Sequence, residues 1–166
     1  MGLFDFFKSK KKLNFDINNC SSIELLDNGI LFEDNKKILK WGSSIKDISK
    51  GVEVKEKLFA DRTVYHWGEH KILNGLVLEL TTTYWNYRED SVYKRFNSIS
   101  FNISGDEAKK YLGLIKMHLQ KEFGEAREED ISDTQITLDW FINETRLRLY
   151  FYEQHINKLN FEISRL

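Results

Sequence analysis

Apolar side chains recur with two distinct periods along this 166-residue chain, and the periods define its elements. From Asp106 to Phe123, the residues Ala108, Tyr111, Leu112, Ile115 and Leu119 fall on one face at helical spacing. Lys109, Lys110, Lys116 and Lys121 point elsewhere. Ser104 followed by Glu107 has the form of a capping box, and Gly124 offers a C-terminal stop. The spacing predicts a long amphipathic helix over about 105–123. After it the period drops to two. Ile136, Leu138, Trp140 and Ile142 alternate with Thr137, Asp139 and Phe141. Leu147, Leu149 and Phe151 alternate with Arg146, Arg148, Tyr150 and Tyr152; Leu159, Phe161 and Ile163 alternate with Lys158, Asn160 and Glu162. Short polar breaks separate these runs, which predicts an antiparallel meander of three strands. The acidic stretch 125–130 ahead of them reads as a solvated turn.

The first half follows a looser version of the same plan. Ser44 and Asp47 can cap a short helical segment bearing Ile45 and Ile48, which Gly51 ends. Thr63 to Leu73, Gly75 to Trp85 and Arg95 to Ile103 then read as strands, with Leu76, Leu78 and Leu80 sharing one face. Residues 53–61 suit either a helical turn or an irregular extended connection. A β-rich lead-in precedes this, with Leu13, Phe15 and Ile17 alternating and Ile23 to Phe32 crossing the turn signal Asp27-Asn28-Gly29. A turn at Asp34-Asn35 leads into Ile38 to Trp41. The expected class is therefore α+β: an antiparallel sheet from two similar helix-plus-three-strand halves, with the long helix packed on it. Residues 13–166 form one expected domain with pseudo-repeats at 41–103 and 104–166, and residues 1–12 form a basic amphipathic N-terminal segment.

Composition narrows the function classes. Lysine plus arginine is 25 and aspartate plus glutamate 26, so a generic nucleic-acid binder does not follow from the charge. One cysteine, Cys20, cannot form an internal disulfide, which points to a reducing cytoplasm. Proline is absent and alanine scarce, as an AT-rich genome would write. With no proline to protect sheet edges, lysines such as Lys55, Lys57, Lys71 and Lys158 are expected to discourage edge pairing. Lys8, Lys10, Lys11 and Lys12 follow Leu3, Phe4, Phe6 and Phe7, the ingredients of a peripheral membrane anchor. Docking of these aromatics onto the body is the competing reading.

The sharpest motif is His66-Trp67-Gly68-Glu69-His70, which fits the H-x-x-E-H pattern of one class of zinc peptidases. That chemistry needs a helix that turns both histidines toward one metal. Gly68 and the strand-forming flanks instead make the segment read as a hairpin turn with two exposed histidines. A metal-assisted hydrolase using His66, Glu69 and His70 is thus the alternative and not the leading reading; no metal site, cofactor or catalytic residue is assigned. Cys20 lacks a nucleophile's local signature, and there is no phosphate-binding loop or nucleophile elbow.

More informative are the outward positions of the strands. Arg146, Arg148, Tyr150 and Tyr152 share one face, with Phe141 beside them, and Trp85 falls opposite the leucine face near Tyr84, Tyr87 and Arg88. Tyrosine, tryptophan and arginine bury large area behind a polar tip, as docking surfaces require. Trp85, Phe141, Arg146, Arg148, Tyr150 and Tyr152 are the expected partner-binding residues. Asp139, Glu144, Glu153 and Glu162 lie in the same region, so the expected partner is a protein and not a nucleic acid.

The Trp41-Gly42-Ser43-Ser44 helix start, the Ser104 to Gly124 helix and the two strand trios together give a tandem helix-plus-sheet layout. This resembles small bacterial immunity and inhibitor proteins, including the duplicated β-lactamase inhibitor proteins, over about residues 41–164. The resemblance implies a cytoplasmic, non-catalytic module that occludes a toxin or enzyme with a sheet face, and it transfers no functional residues.

Overall fold

The structure, a computed structural model, describes residues 21–85, 95–153 and 155–166. Among the described residues, ten strands and two helices follow in chain order: β1 (Gly29–Phe32), β2 (Lys37–Lys40), α1 (Ile45–Ile48), β3 (Lys55–Leu58), β4 (Arg62–Ile72), β5 (Leu76–Trp85) and β6 (Ser98–Ser104). Then come α2 (Glu107–Phe123), β7 (Glu128–Ile131), β8 (Gln135–Ile142), β9 (Thr145–Tyr152) and β10 (Lys158–Arg165). Strands β1 and β2 form a separate hairpin. The other eight make one antiparallel sheet in the order β3-β4-β5-β6-β10-β9-β8-β7. Each helix is thus followed by a four-strand meander, and the meanders meet where β6 pairs with β10. The α+β expectation is met; the three-strand count per half is not.

The two additional strands are the edges of the sheet. Every residue of β3 is exposed, and β7 carries one apolar residue, Ile131. An edge strand with no face in the core needs no alternation, so 53–61 and 125–130 carry no strand signature. Of the lysines expected to guard edges, Lys55 and Lys57 do lie on β3, whereas Lys158 pairs inside the sheet on β10. At Lys71 the backbone N–H is taken by the Asp34 carboxylate.

All the apolar alternation points one way. Leu78 and Leu80, Ile99 and Phe101, Phe161 and Ile163, Leu147 and Leu149, Leu138 and Trp140 form one buried cluster. Helix α2 crosses β6, β10 and β9 on that face and buries Ala108, Ile115 and Leu119 completely. Burial of Ile115 and Leu119 contributes roughly 2 kcal/mol each. Over β4 the same layer is supplied by the β1–β2 hairpin, with Phe32 stacked on His70 at 3.8 Å and edge-on to Trp67 at 6.4 Å. The carbonyl of Leu26 ties the two ends of the hairpin to β9, accepting from the Trp41 indole at 2.6 Å and from Thr145 Oγ1 at 3.2 Å.

Local rules hold at α1, where Ser44 caps Asp47 N–H at 3.2 Å and Gly51, with φ 81°, ends the turn. They fail at the start of α2. Ser104 is not its N-cap, because it still pairs with Lys158 in the sheet; Gly105, with φ 93°, then swings the chain into a helix whose N-cap, Asp106, makes no side-chain cap hydrogen bond. Strand continuation outbids the capping box. Residues 1–12, Leu13, Phe15 and Ile17, Cys20, and Tyr87 and Arg88, for which expectations were given, lie outside the described residues.

Two stability predictions follow from the hairpin. A Cβ on Gly29 would overlap the Leu39 carbonyl across the β1–β2 pair, so Gly29→Ala should cost about 2 kcal/mol or more, read from urea denaturation. Partial burial would by itself raise the Asp34 carboxyl, but hydrogen bonds from His70 and the Lys71 amide outweigh it and hold the group below its ordinary value. A depressed carboxyl stabilises the fold above its unfolded value near pH 4 and loses that contribution as the pH falls through its folded value. Asp34→Asn should therefore lower stability at neutral pH and flatten the acid limb below about pH 4; an unchanged acid limb would remove Asp34 from that role.

Candidate functional site

Because α2 and the hairpin share one face, the other face of the eight-stranded sheet has no covering element among the described residues. Strand pairing lays its side chains out in rows. One row runs Lys55, His66, Thr81, Ser100, Glu162, Arg148, Asp139. On the next, Lys57, Val64 and Thr83 approach from one side and Ser98, Ser164, Arg146 and Phe141 from the other. The central positions are short and polar, while the flanking ones are long. A short floor between long walls makes a trough, and here it encloses about 1070 Å³.

The floor is held by a chain of side-chain hydrogen bonds across three strands. Thr81 Oγ1 lies 3.3 Å from Ser100 Oγ, Asn102 Nδ2 donates to Ser100 Oγ at 3.1 Å, and Asn160 Nδ2 donates to Asn102 Oδ1 at 2.7 Å. The β5–β6 contact beneath it is unusual. Backbone pairing there is limited to Thr81 opposite Ser100. Side-chain hydroxyls supplement the ladder, with Thr81 Oγ1 donating to the Ser100 carbonyl at 3.3 Å and Thr82 Oγ1 to the Ser98 carbonyl at 3.2 Å. Thr82 is itself buried and accepts from the Trp67 indole at 2.9 Å. The trough is consequently lined by residues of both β5 faces, Thr81 and Thr83 on one, Thr82 and Tyr84 on the other.

The six residues expected at a binding face all fall on this open side. Trp85 and Arg146 line the trough itself. Phe141, Arg148, Tyr150 and Tyr152 lie beside it on β8 and β9, where the two tyrosine rings stack at 6.4 Å and the Arg127 guanidinium lies 5.7 Å from the centre of the Phe141 ring. Arg148 has a structural task as well. It makes a two-pronged bond to Asp139, at 2.9 and 2.6 Å, and the Asp139 side chain is only 4% exposed. Charge-assisted pairs of this geometry are strong, and removing one partner strands the other.

At the first wall the Arg62 guanidinium packs between Phe59 and Trp85, 4.7 and 5.3 Å from the ring centres. Residues that line the trough and were not expected at a binding face include Lys57, Arg62, Arg95 and Arg165. Two polar atoms at the trough's linings are buried with no hydrogen-bond partner among the described residues, Tyr84 Oη and Arg146 Nε. Burial, helped by neighbouring Tyr65, pushes the Tyr84 phenol far above its ordinary value, so it stays a neutral donor.

His66, Glu69 and His70 do not form the hairpin turn the sequence suggested. They sit within β4, and the turn comes at Leu73, Asn74 and Gly75. Gly68 instead supports a bulge, with a register shift between His66 and Gly68. The bulge leaves His66 on the open face beside Thr81 and turns His70 to the covered face beside Leu78. His70 Nδ1 meets Asp34 at 2.8 Å and Nε2 meets the Trp67 carbonyl at 3.0 Å. Both ring nitrogens are thus taken up by oxygen atoms of the protein, and neither faces a second histidine. Among the described residues no group of three or more His, Cys, Asp or Glu converges, and no helix is long and apolar enough to cross a membrane.

Comparison with protein families, with curated proteins and with solved structures finds no match for this chain. The site therefore stands on its geometry. Arg148→Ala should cost about 2 kcal/mol by stranding the Asp139 carboxylate, seen as a lower urea midpoint at unchanged slope. A variant as stable as the parent would show that the pair contributes nothing.

Proposed function

We propose that this protein is a non-catalytic binding module that docks a protein partner on the open face of its sheet. Its proposed setting is the bacterial cytoplasm, and its proposed role is that of an immunity or inhibitor protein occluding a toxin. One observation carries the reading: Trp85, Phe141, Arg146, Tyr150 and Tyr152 lie on the side of the sheet opposite α2, where the described residues place no covering element. Aromatic and arginine side chains on a rigid sheet lose little conformational freedom on binding, which is what an anchor residue needs.

A duplication fits the same reading. Each helix precedes a four-strand meander, and the last strands meet with Phe101 opposite Phe161. A shift of sixty positions also superposes Ile99, Phe101 and Ile103 on Leu159, Phe161 and Ile163. Such a fold widens one face into a surface that a single meander could not supply, although α1 has four residues and α2 seventeen.

Arg148 is a poor probe of docking because of its bond to Asp139, so the test uses its neighbours. Affinity capture from the source organism should retain a partner on the wild type and on Met117→Ala, an exposed position on α2. Trp85→Ala and the double variant Tyr150→Ala/Tyr152→Ala should each retain at least about tenfold less, with melting temperature little changed. Equal retention by all variants, or loss only with Met117→Ala, would move the interface away from this face.

A further inference from the structure

The charge of the trough differs from that of the whole chain. The chain carries −1 overall. Lys57, Arg62, Arg95, Arg146 and Arg165 line the trough, against two carboxylates, Glu79 and Glu162. Some of this charge is already engaged at the rim, where Arg62 meets Asp61 at 2.9 Å and Arg165 meets Glu144 at 3.1 Å. Arg146 is different. It stands on β9 with its terminal nitrogen 3.7 Å from Glu162, beyond hydrogen-bond range, and its Nε is buried with no partner among the described residues. A guanidinium is a planar fork suited to one carboxylate across two N–H groups, and on Arg146 the fork is engaged only by this long ion pair with Glu162.

The floor limits what could fill it. Ser98, Ser100, Asn102 and Asn160 offer both donors and acceptors, and Glu79 and Glu162 accept only. A phosphodiester backbone carries a negative charge at every nucleotide and no N–H, so it would meet those carboxylates with repulsion. An extended peptide brings backbone N–H groups for the floor and spaces its carboxylates between neutral residues. Building on the reading of this face as a protein-docking surface, we propose that the trough seats an acidic, extended segment of the partner. One of its carboxylates is held by Arg146, and others are drawn by Arg95 and Lys57 at the rim.

The full chain, labelled with nitrogen-15, can be titrated with a ten-residue peptide of alternating Glu and Ser, capped at both ends. The expected result is a set of amide shifts centred on Ser98, Ser100 and Asn160, together with the Arg146 side-chain signal, and weakening as salt rises. The same peptide with Gln for Glu should bind at least about tenfold more weakly, as should the acidic peptide to Arg146→Gln. Arg95→Gln, at an exposed position, should weaken binding in the same direction and keeps the test decisive if Arg146→Gln fails to fold. Absence of shifts, shifts confined to α2 or the β1–β2 hairpin, or tighter binding of a ten-nucleotide oligothymidine would each overturn the assignment. None of these would touch the capture result at Tyr150 and Tyr152, so the two readings fail separately.

Discussion

The pairing of β6 with β10 is the interaction on which the rest of this structure depends. Seven consecutive positions, Ser98–Ser104 against Ser164–Lys158, turn two meanders into one sheet. Alternation then makes that seam serve two purposes. Its inward residues, Ile99, Phe101 and Ile103 against Ile163, Phe161 and Leu159, make the centre of the core that α2 covers. Its outward residues, Ser98, Ser100 and Asn102 against Ser164, Glu162 and Asn160, make the floor of the trough. A slip of one residue would exchange the two sets, so core and site are specified together.

The neighbouring junction is built on different terms. Between β5 and β6 backbone pairing is confined to one position, and threonine hydroxyls take up β6 carbonyls. A hydroxyl satisfies the acceptor while permitting the strands to separate further than a ladder would. The trough runs over this junction, and the cost falls on cohesion at one place instead of throughout the sheet. The buried joint of Trp67, Thr82 and Ser98 limits that cost, because it ties β4, β5 and β6 together on the core side.

Most of the buried architecture was legible in the sequence. Helix α2 and strands β4, β5, β6, β8, β9 and β10 each bury one face, and burial of one face is what a period records. On the edge strands every residue of β3 and Glu129, Asp130 and Ile131 of β7 are exposed, so Lys55–Leu58 and Glu128–Ile131 looked like connections. Ser104 misled because a local cap competes with a partner 54 residues away, Lys158, that no window contains. The layout of the open face was legible in part by the same logic. Bulky outward residues such as Trp85 and Arg146 stand out, whereas a floor of serines and asparagines becomes a site only when strand order places it between walls. His70 shows the reverse case: a motif with the right letters is divided between two faces by a bulge at Gly68.

Strand order also bears on how a partner can approach. With no proline in the chain, the sheet's edges rely on charge. On β3, Lys55, Glu56 and Lys57 are all exposed. Antiparallel pairing of two such strands centred on Glu56 would set lysine against lysine and glutamate against glutamate. On β7, Glu129 and Asp130 oppose any acidic strand, and the apolar residues Leu58 and Ile131 stand at the strand ends where a ladder would be shortest. Part of β4 beyond β3 is closed differently, by the Glu33 amide on the Lys71 carbonyl and the Asp34 carboxylate on the Lys71 amide. Self-pairing at β3 and addition of an acidic strand at β7 are therefore opposed by like charge, while the open face combines aromatic area, a polar floor and the Arg146 guanidinium, whose Nε has no partner among the described residues. The proposed docking across the face, and not along the edge, is the mode these charges favour.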